Sequence, residues 1–186
     1  MEILIIPGVV LLILLIFIFG TYNRLINLRN TITESWRNVD TELQRRYDLI
    51  PNLVEAVKGY ARHEKEVFEE VTRARAVAVD SRGTPDSQAH DENVLVGALG
   101  RLFAVVEGYP DLKASRNFLH LQDELVNTED RIQASRRFYN GNVRTFNNKV
   151  QMFPSNLIAS AGGFTPADYF EIKNLDVRSA VRVEIP

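Results

Sequence analysis

The sequence predicts an all-α protein: an N-terminal transmembrane helix continuous with an antiparallel four-helix bundle, followed by a short irregular, strand-like C-terminal segment. Three observations predict it. Residues Ile3 to Phe19 are apolar apart from the Pro7-Gly8 pair, apolar positions from Leu25 to Phe153 recur at alternating spacings of four and three, and short proline- or glycine-marked breaks divide that stretch into four. The organisation read from these features is an anchor over residues 1–21, a bundle over 22–153 and an apolar segment and tail over 154–186.

The Ile3–Phe19 run is rich in Ile, Leu, Val and Phe, residues that each favour insertion by roughly 0.3 to 0.6 kcal/mol at a helix centre. Gly20, Thr21 and Tyr22 extend it to spanning length, with the tyrosine at the headgroups. A cleaved signal peptide is the competing reading. It calls for a positive start and small residues before the cut, whereas this chain has Glu2 and the bulky Phe17-Ile18-Phe19-Gly20. An uncleaved anchor is therefore expected. Arg24 and Arg29 flank its C-terminal side, a bias that puts the following domain in the cytoplasm.

Leu25, Arg29, Ile32, Trp36, Val39, Leu43, Arg46 and Ile50 form the seam of the first soluble helix. Asp48 as a cap and Pro51 in a first turn predict a turn or sharp kink near Tyr47-Asp48, where a second helix starts. That second helix carries Leu53, Val57, Tyr60, Glu64, Val67, Val71, Ala74 and Ala78 on one face and stops near Gly83. Thr84-Pro85-Asp86 repeats the cap-then-proline start of a third, with Leu95, Ala98, Leu99, Leu102, Val105 and Val106 as its apolar face. The fourth keeps the rhythm from Phe118 through Gln122, Leu125, Glu129, Ile132, Arg136, Tyr139, Val143, Phe146 and Val150 to Phe153, before Pro154.

Short connections make such helices antiparallel neighbours. Three reversals return the end of the fourth helix to the bilayer. The Tyr47–Pro51 and Gly108–Asp111 turns are thus expected at the distal end, ~40 Å from the membrane, and the Ser81–Glu92 loop and C-terminal segment at the proximal end.

Gln122, Glu129 and Arg136 occupy core positions of the fourth seam, Arg46 of the first and Glu64 of the second. Buried ions need partners, and Arg46 or Arg136 with Glu129 or Glu64 would supply them. Three roles are open for these five: charges snorkelling to the edge of a wide seam, a structural polar network that fixes register, or a functional ionisable cluster.

Composition narrows the chemistry. Lys and Arg number 22 against 24 acids, for a net charge of -2, without the basic footprint of a nucleic-acid binder. With no cysteine, disulfides, thiolate metal sites and cysteine nucleophiles are excluded. His63-Glu64-Lys65-Glu66-Val67 lacks the second histidine of a zinc-protease helix, and no nucleophile elbow or phosphate-binding loop occurs. Neither a cofactor nor a metal nor an enzymatic reaction is expected.

The run Arg45 to Val54, RRYDLIPNLV, followed by Val57-Lys58-Gly59-Tyr60-Ala61 and His63-Glu64, resembles the LemA family. A second block does so in the same order: Asn117-Phe118, Leu121-Gln122, Glu124-Leu125, Thr128-Glu129, Ile132, Arg136-Arg137, Tyr139-Asn140, Val143, Asn147, Phe153-Pro154, Asn156 and Gly163-Phe164. Tyr169-Phe170 stands where a pair of phenylalanines is common. The resemblance implies a bacterial protein with an N-terminal anchor and a helical-bundle domain. It supplies no known reaction, and suggested roles include membrane remodelling in magnetosome formation and association with membrane metalloproteases.

Between Phe153 and Phe170 the chain is small, apolar and almost uncharged, so Leu157, Ile158, Phe164, Tyr169 and Phe170 call for a cover. Packing on the chain's own bundle is one answer. The other is contact with membrane or a neighbouring copy, for which Phe153, Leu157, Ile158, Phe164, Tyr169 and Phe170 are the candidates. Val177 to Ile185 alternates apolar and polar residues and suits an edge strand added to a partner. The function expected is a membrane-anchored assembly or scaffold protein that self-associates and organises or shapes the membrane. The alternative is an adaptor for another membrane protein, such as a metalloprotease or signalling component, docking through the Tyr47–Pro51 end or the terminal strand. Membrane lipid and further copies of the chain are the expected partners, and nucleic acid is not.

Overall fold

The computed structural model describes residues 2–81, 83–173 and 175, with side chains from residue 6 onward. Among them there are helices α1 (Glu2–Lys58), α2 (Lys65–Asp80), α3 (Pro85–Val106), α4 (Pro110–Lys113), α5 (Arg116–Gln151) and α6 (Ser155–Ala161), and no strand. The alternating stretch Val177–Ile185 lies outside the described residues.

The first helix is one rod of 57 residues, ~85 Å long at ~1.5 Å per residue. Ile6 to Phe19 are exposed along its first third, without a neighbour to cover them. A soluble core helix would bury that surface, so it marks the lipid-facing part of α1. Beyond Tyr22, Leu25, Ile32, Val39, Leu43, Arg46 and Ile50 turn inward and are buried, while Arg29 is exposed and Trp36 half-buried.

The turn expected at Tyr47-Asp48 does not exist. Helix α1 passes through Pro51 and stops at Lys58, and the reversal falls at 59–64. Leu53 and Val57 belong to α1 and are buried there, whereas Tyr60 is exposed in the turn. Pro51 has no amide hydrogen for the carbonyl of Tyr47 one turn back. Arg75 Nε of α2 donates to that carbonyl instead, at 2.7 Å. The bundle is accordingly ~55 Å tall, from Tyr22 to Lys58, rather than ~40 Å.

The cap-then-proline start of α3 is present: Thr84 Oγ1 accepts from Ser87 N at 3.4 Å, with Pro85 in the first turn. However, α3 begins within the stretch read as the Ser81–Glu92 loop, and the α2–α3 hairpin does not reach the proximal end. The Tyr47 hydroxyl lies 3.4 Å from the carbonyl of Ala78, which puts the bottom of α2 level with Tyr47, in the last quarter of α1. Four helices pack only in the distal half. In the proximal half α1 and α5 form an antiparallel pair, and the C-terminal segment takes the place of the missing hairpin.

That segment is built in two parts. Helix α6 follows α5 through a corner where the Ser155 hydroxyl donates to the carbonyls of Lys149 and Met152 at 2.7 and 2.9 Å. It ends in paired bonds, Gly163 N to Ser160 O at 3.2 Å and Phe164 N to Ala159 O at 2.9 Å, with Gly163 at φ 69°. This closure puts one residue in the left-handed region, which glycine adopts without a Cβ penalty. Residues 165–173 then run extended along α5 as a strap.

Candidate functional site

Two polar assemblies are built around α5. The first is enclosed where α1, α3 and α5 meet. Arg46 is 0% exposed, and its Nη1 donates to Glu129 Oε1 at 3.0 Å. Its Nη2 donates to Glu92 Oε2, whose other oxygen accepts the Tyr47 hydroxyl. Every charged group in this cluster is cut off from water, a condition that an ion survives only with charge-matched hydrogen bonds.

Burial raises the Glu92 pKa above the usual carboxylate range, with Arg46 and Tyr47 pulling the other way. Burial also opposes charge on Arg46, but Glu129 and then Glu92 hold its pKa above the ordinary value. The Tyr47 phenol is pushed up as well, by burial first and by the neighbouring Glu92 carboxylate next. The cluster is thus an arginine cation clamped between two carboxyls, one of which holds its proton more tightly than a free carboxyl does.

Of the five polar residues singled out by their seam positions, two meet here, Arg46 and Glu129. Glu64 stands apart at the start of α2, 3.5 Å from the Tyr109 hydroxyl. Gln122 is buried about two turns before Glu129, nearer the start of α5. Arg136 is half-buried and donates to the carbonyl of Ile172 in the strap. Arg46 thus pairs with Glu129 and Glu92 rather than with Glu64. Glu92 and Tyr47 were missed for a common reason: both fell in stretches read as turns. The signal for Glu92 was its spacing of three from Leu95, which puts it on the apolar face of α3.

The second assembly fastens the strap. Asn147 Nδ2 donates to Ala167 O at 2.9 Å while Asn147 Oδ1 accepts from Ala167 N at 2.8 Å. Asn140 treats Phe170 identically, at 3.0 and 2.9 Å. Asn93 of α3 receives Lys173 N at 2.7 Å and reaches Glu171 O at 3.3 Å. An asparagine amide carries a donor and an acceptor side by side, matching the N–H and C=O of one extended residue. The Tyr139 hydroxyl adds a bond to Asp168 O at 2.9 Å, and its pKa is pushed up to about 12 by burial and then by the Asp168 charge.

Between these polar clamps the strap's aromatics enter the core. Phe170 is fully buried and meets Trp36 edge-on at 5.1 Å, and Trp36 meets Tyr139 at the same distance. Phe164 is buried against Tyr22 at 5.6 Å and Phe146 at 6.3 Å, with the Arg29 guanidinium 5.3 Å above its ring. Phe164 and Phe170, read as candidates for membrane or subunit contact, are consequently consumed by the chain's own core. The physical reason is the α1–α5 groove that the short α2–α3 hairpin leaves open. Ile158 is half-buried and Tyr169 39% exposed. Phe153 at 78% and Leu157 at 62% remain outside.

Among the described residues no group of three or more His, Asp or Glu side chains converges as a metal site would. The two carboxyls that do come together already share the Arg46 cation.

The anchor, the rod-like first helix and the strap-closed pair define a membrane-anchored helical bundle. Residues 35–185 match the LemA family, and the chain belongs to it. It is 29% identical over 177 residues to Magnetosome protein MamQ 2 of Paramagnetospirillum magneticum, a match covering 82% of this chain and 65% of that protein. A magnetosome protein MamQ of Magnetospirillum gryphiswaldense is 27% identical over the same shares. Protein LemA of Metamycoplasma hominis is 29% identical over 144 residues, 75% of this chain and 64% of that one. The match therefore spans a little under two thirds of the length of each of these relatives.

Proposed function

We propose that this protein is a non-enzymatic scaffold of a bacterial inner membrane, whose copies associate and organise or shape the bilayer. The observation that carries this reading is the enclosure of the Arg46 cluster. Arg46 and Glu92 are 0% exposed and Glu129 4%, so this cluster of buried charges has no opening through which a substrate could reach it. What the molecule offers to the outside is surface: a single anchor, a tall rigid bundle and exposed apolar side chains near the membrane. Relatives named as magnetosome proteins support an organising role. Arg24 and Arg29 favour a cytoplasmic bundle.

Mass photometry of the full chain, in detergent and in nanodiscs, tests self-association. Particles of several copies are expected in both. A monomer that persists at high concentration in both media removes the scaffold reading.

The second reading is an adaptor for another membrane protein. Its docking site cannot be a Tyr47–Pro51 end, because that stretch is mid-helix and Tyr47 is buried. A groove of about 550 Å³ at the distal end, lined by Lys58, Lys65, Phe68 and Arg73 among others, favours it instead. Crosslinking in native membranes separates the readings: an adaptor captures a different protein, a scaffold its own copies.

A further inference from the structure

The corner between α5 and α6 places large apolar side chains where they have no protein cover. Met152 is 62% exposed, Phe153 78% and Leu157 62%. The corner is tied down by the two Ser155 bonds, so these side chains are held out rather than left on a loose end. Its height is fixed by Phe164, which packs on Tyr22 of α1, three residues beyond Phe19, the last of the exposed apolar run. The patch therefore lies beside α1 at the level where the lipid-facing surface ends.

Charge is sorted at the same level. Residues 20–33 of α1 and 141–164 of α5 and α6 contain Arg24, Arg29, Arg144 and Lys149 and no Asp or Glu. All four cations are exposed. Since the whole chain has a net charge of -2, the acidic excess sits elsewhere. Apolar side chains below a ring of cations are what an interface between hydrocarbon and anionic headgroups accommodates, the former by burial and the latter by local electrostatic attraction near the surface.

We infer that the α5–α6 corner is a second membrane-contact site, which inserts Phe153 and Leu157 into the interface of an anionic bilayer while Arg24, Lys149, Arg29 and Arg144 face its headgroups. Continuity with α1 and the charge match select lipid over a second copy as the occupant. The consequence is mechanical. A single anchor lets a bundle swivel and tilt, whereas anchor and corner together fix its rotation and its angle to the membrane. This inference rests on membrane anchoring and not on self-association.

The absence of native cysteine permits a clean test with the full chain. Leu157→Cys carries a nitroxide at the corner and His63→Cys, in the exposed distal turn, serves as the aqueous reference. Each is placed at one copy per nanodisc, made of phosphatidylcholine alone or with phosphatidylglycerol. With the anionic lipid, the ratio of oxygen to nickel-chelate accessibility at residue 157 is expected to rise several-fold above that at residue 63. Combining Arg24→Gln, Arg144→Gln and Lys149→Gln should remove most of that rise. Equal aqueous accessibility at both positions in both lipids overturns the site. Equal insertion without anionic lipid overturns the cation ring. Shielding that appears only when copies are crowded, with spin–spin broadening, assigns the patch to a second copy and overturns lipid as its occupant. A monomeric protein that inserts residue 157 supports this inference even as it removes the scaffold reading.

Discussion

Arg75 Nε donates to the main-chain carbonyl of Tyr47 at 2.7 Å, the carbonyl that Pro51 leaves without its helical partner. A proline in a helix interior typically disfavours it by about 3 kcal/mol, and here a guanidinium from the next helix takes over the lost bond. The arrangement locks α2 against α1 at the point where the rod would otherwise kink. Arg75→Ala should then destabilise the protein by about 1–3 kcal/mol, the range for a charged hydrogen bond whose acceptor is left unpaired. With Pro51→Ala, residue 51 can donate to Tyr47 itself, and the cost of Arg75→Ala should fall to less than half. Chemical denaturation of the four proteins of this double-mutant cycle measures the coupling. Equal costs in both backgrounds would show that Arg75 acts through something other than the proline.

Among the described residues, Arg46 is the cation that pairs with both Glu129 and Glu92 in a dry interior. Removing it alone, as Arg46→Met, leaves two carboxyls with no counter-charge and should cost about 3–5 kcal/mol. Replacing the set together, as Arg46→Met with Glu92→Leu and Glu129→Leu, removes the desolvation penalties along with the attraction and should recover most of that loss. Thermal or denaturant melts of both variants decide it. A triple variant as unstable as Arg46→Met would mean that the network sets helix register and is not merely a compensated charge.

The fate of Glu92 can be followed by pH. Its folded pKa lies above the unfolded value of 4.5, so the native state retains a proton that the unfolded chain releases. Between those two pKa values the unfolded state binds fewer protons, and stability falls as pH rises. The contribution is complete below about pH 4.5 and is lost as the pH climbs through the folded pKa. Glu92→Gln keeps the shape and cannot ionise, so its stability relative to the parent should increase with pH across that window. A difference that stays flat from pH 4 to 8 would sink the assignment.

The anchor, the buried positions of α5 and the cap of α3 were legible because each is local: an apolar run, a four-three rhythm, a threonine before a proline. The path of α1 through Pro51 was not. Cap-then-proline spacing is the same whether a helix starts there or a side chain 24 residues later repairs the break, and that side chain is set only by the folded α1–α2 packing. The same limit applies to the site. Spacing placed Arg46 and Glu129 inside, but choosing Glu92 over Glu64 as the third member depends on hairpin height. The strap was legible as apolar and in need of cover. Its cover depended on a groove that exists because α2 and α3 are short, which no residue of the strap itself records.

The asparagines that hold the strap give the last prediction. Asn147 and Asn140 each form two hydrogen bonds to one strap residue, and neither contact depends on the identity of the strap's side chain. Backbone fastening of this kind leaves Phe170 and Phe164 to supply apolar burial, while the amides set register along α5. Truncating both, as Asn140→Ala with Asn147→Ala, removes four bonds worth about 0.5–1.5 kcal/mol each. It also exposes two strap amides to exchange. Because the lost bonds join the strap to α5 and not α5 to α1, opening should be local. Hydrogen exchange at the Ala167 and Phe170 amides should accelerate by at least tenfold, with that of the Arg46 region unchanged. Uniform acceleration across α1, α5 and the strap would show instead that the strap is an integral part of one cooperative unit, and that the proximal half of the bundle cannot form without it.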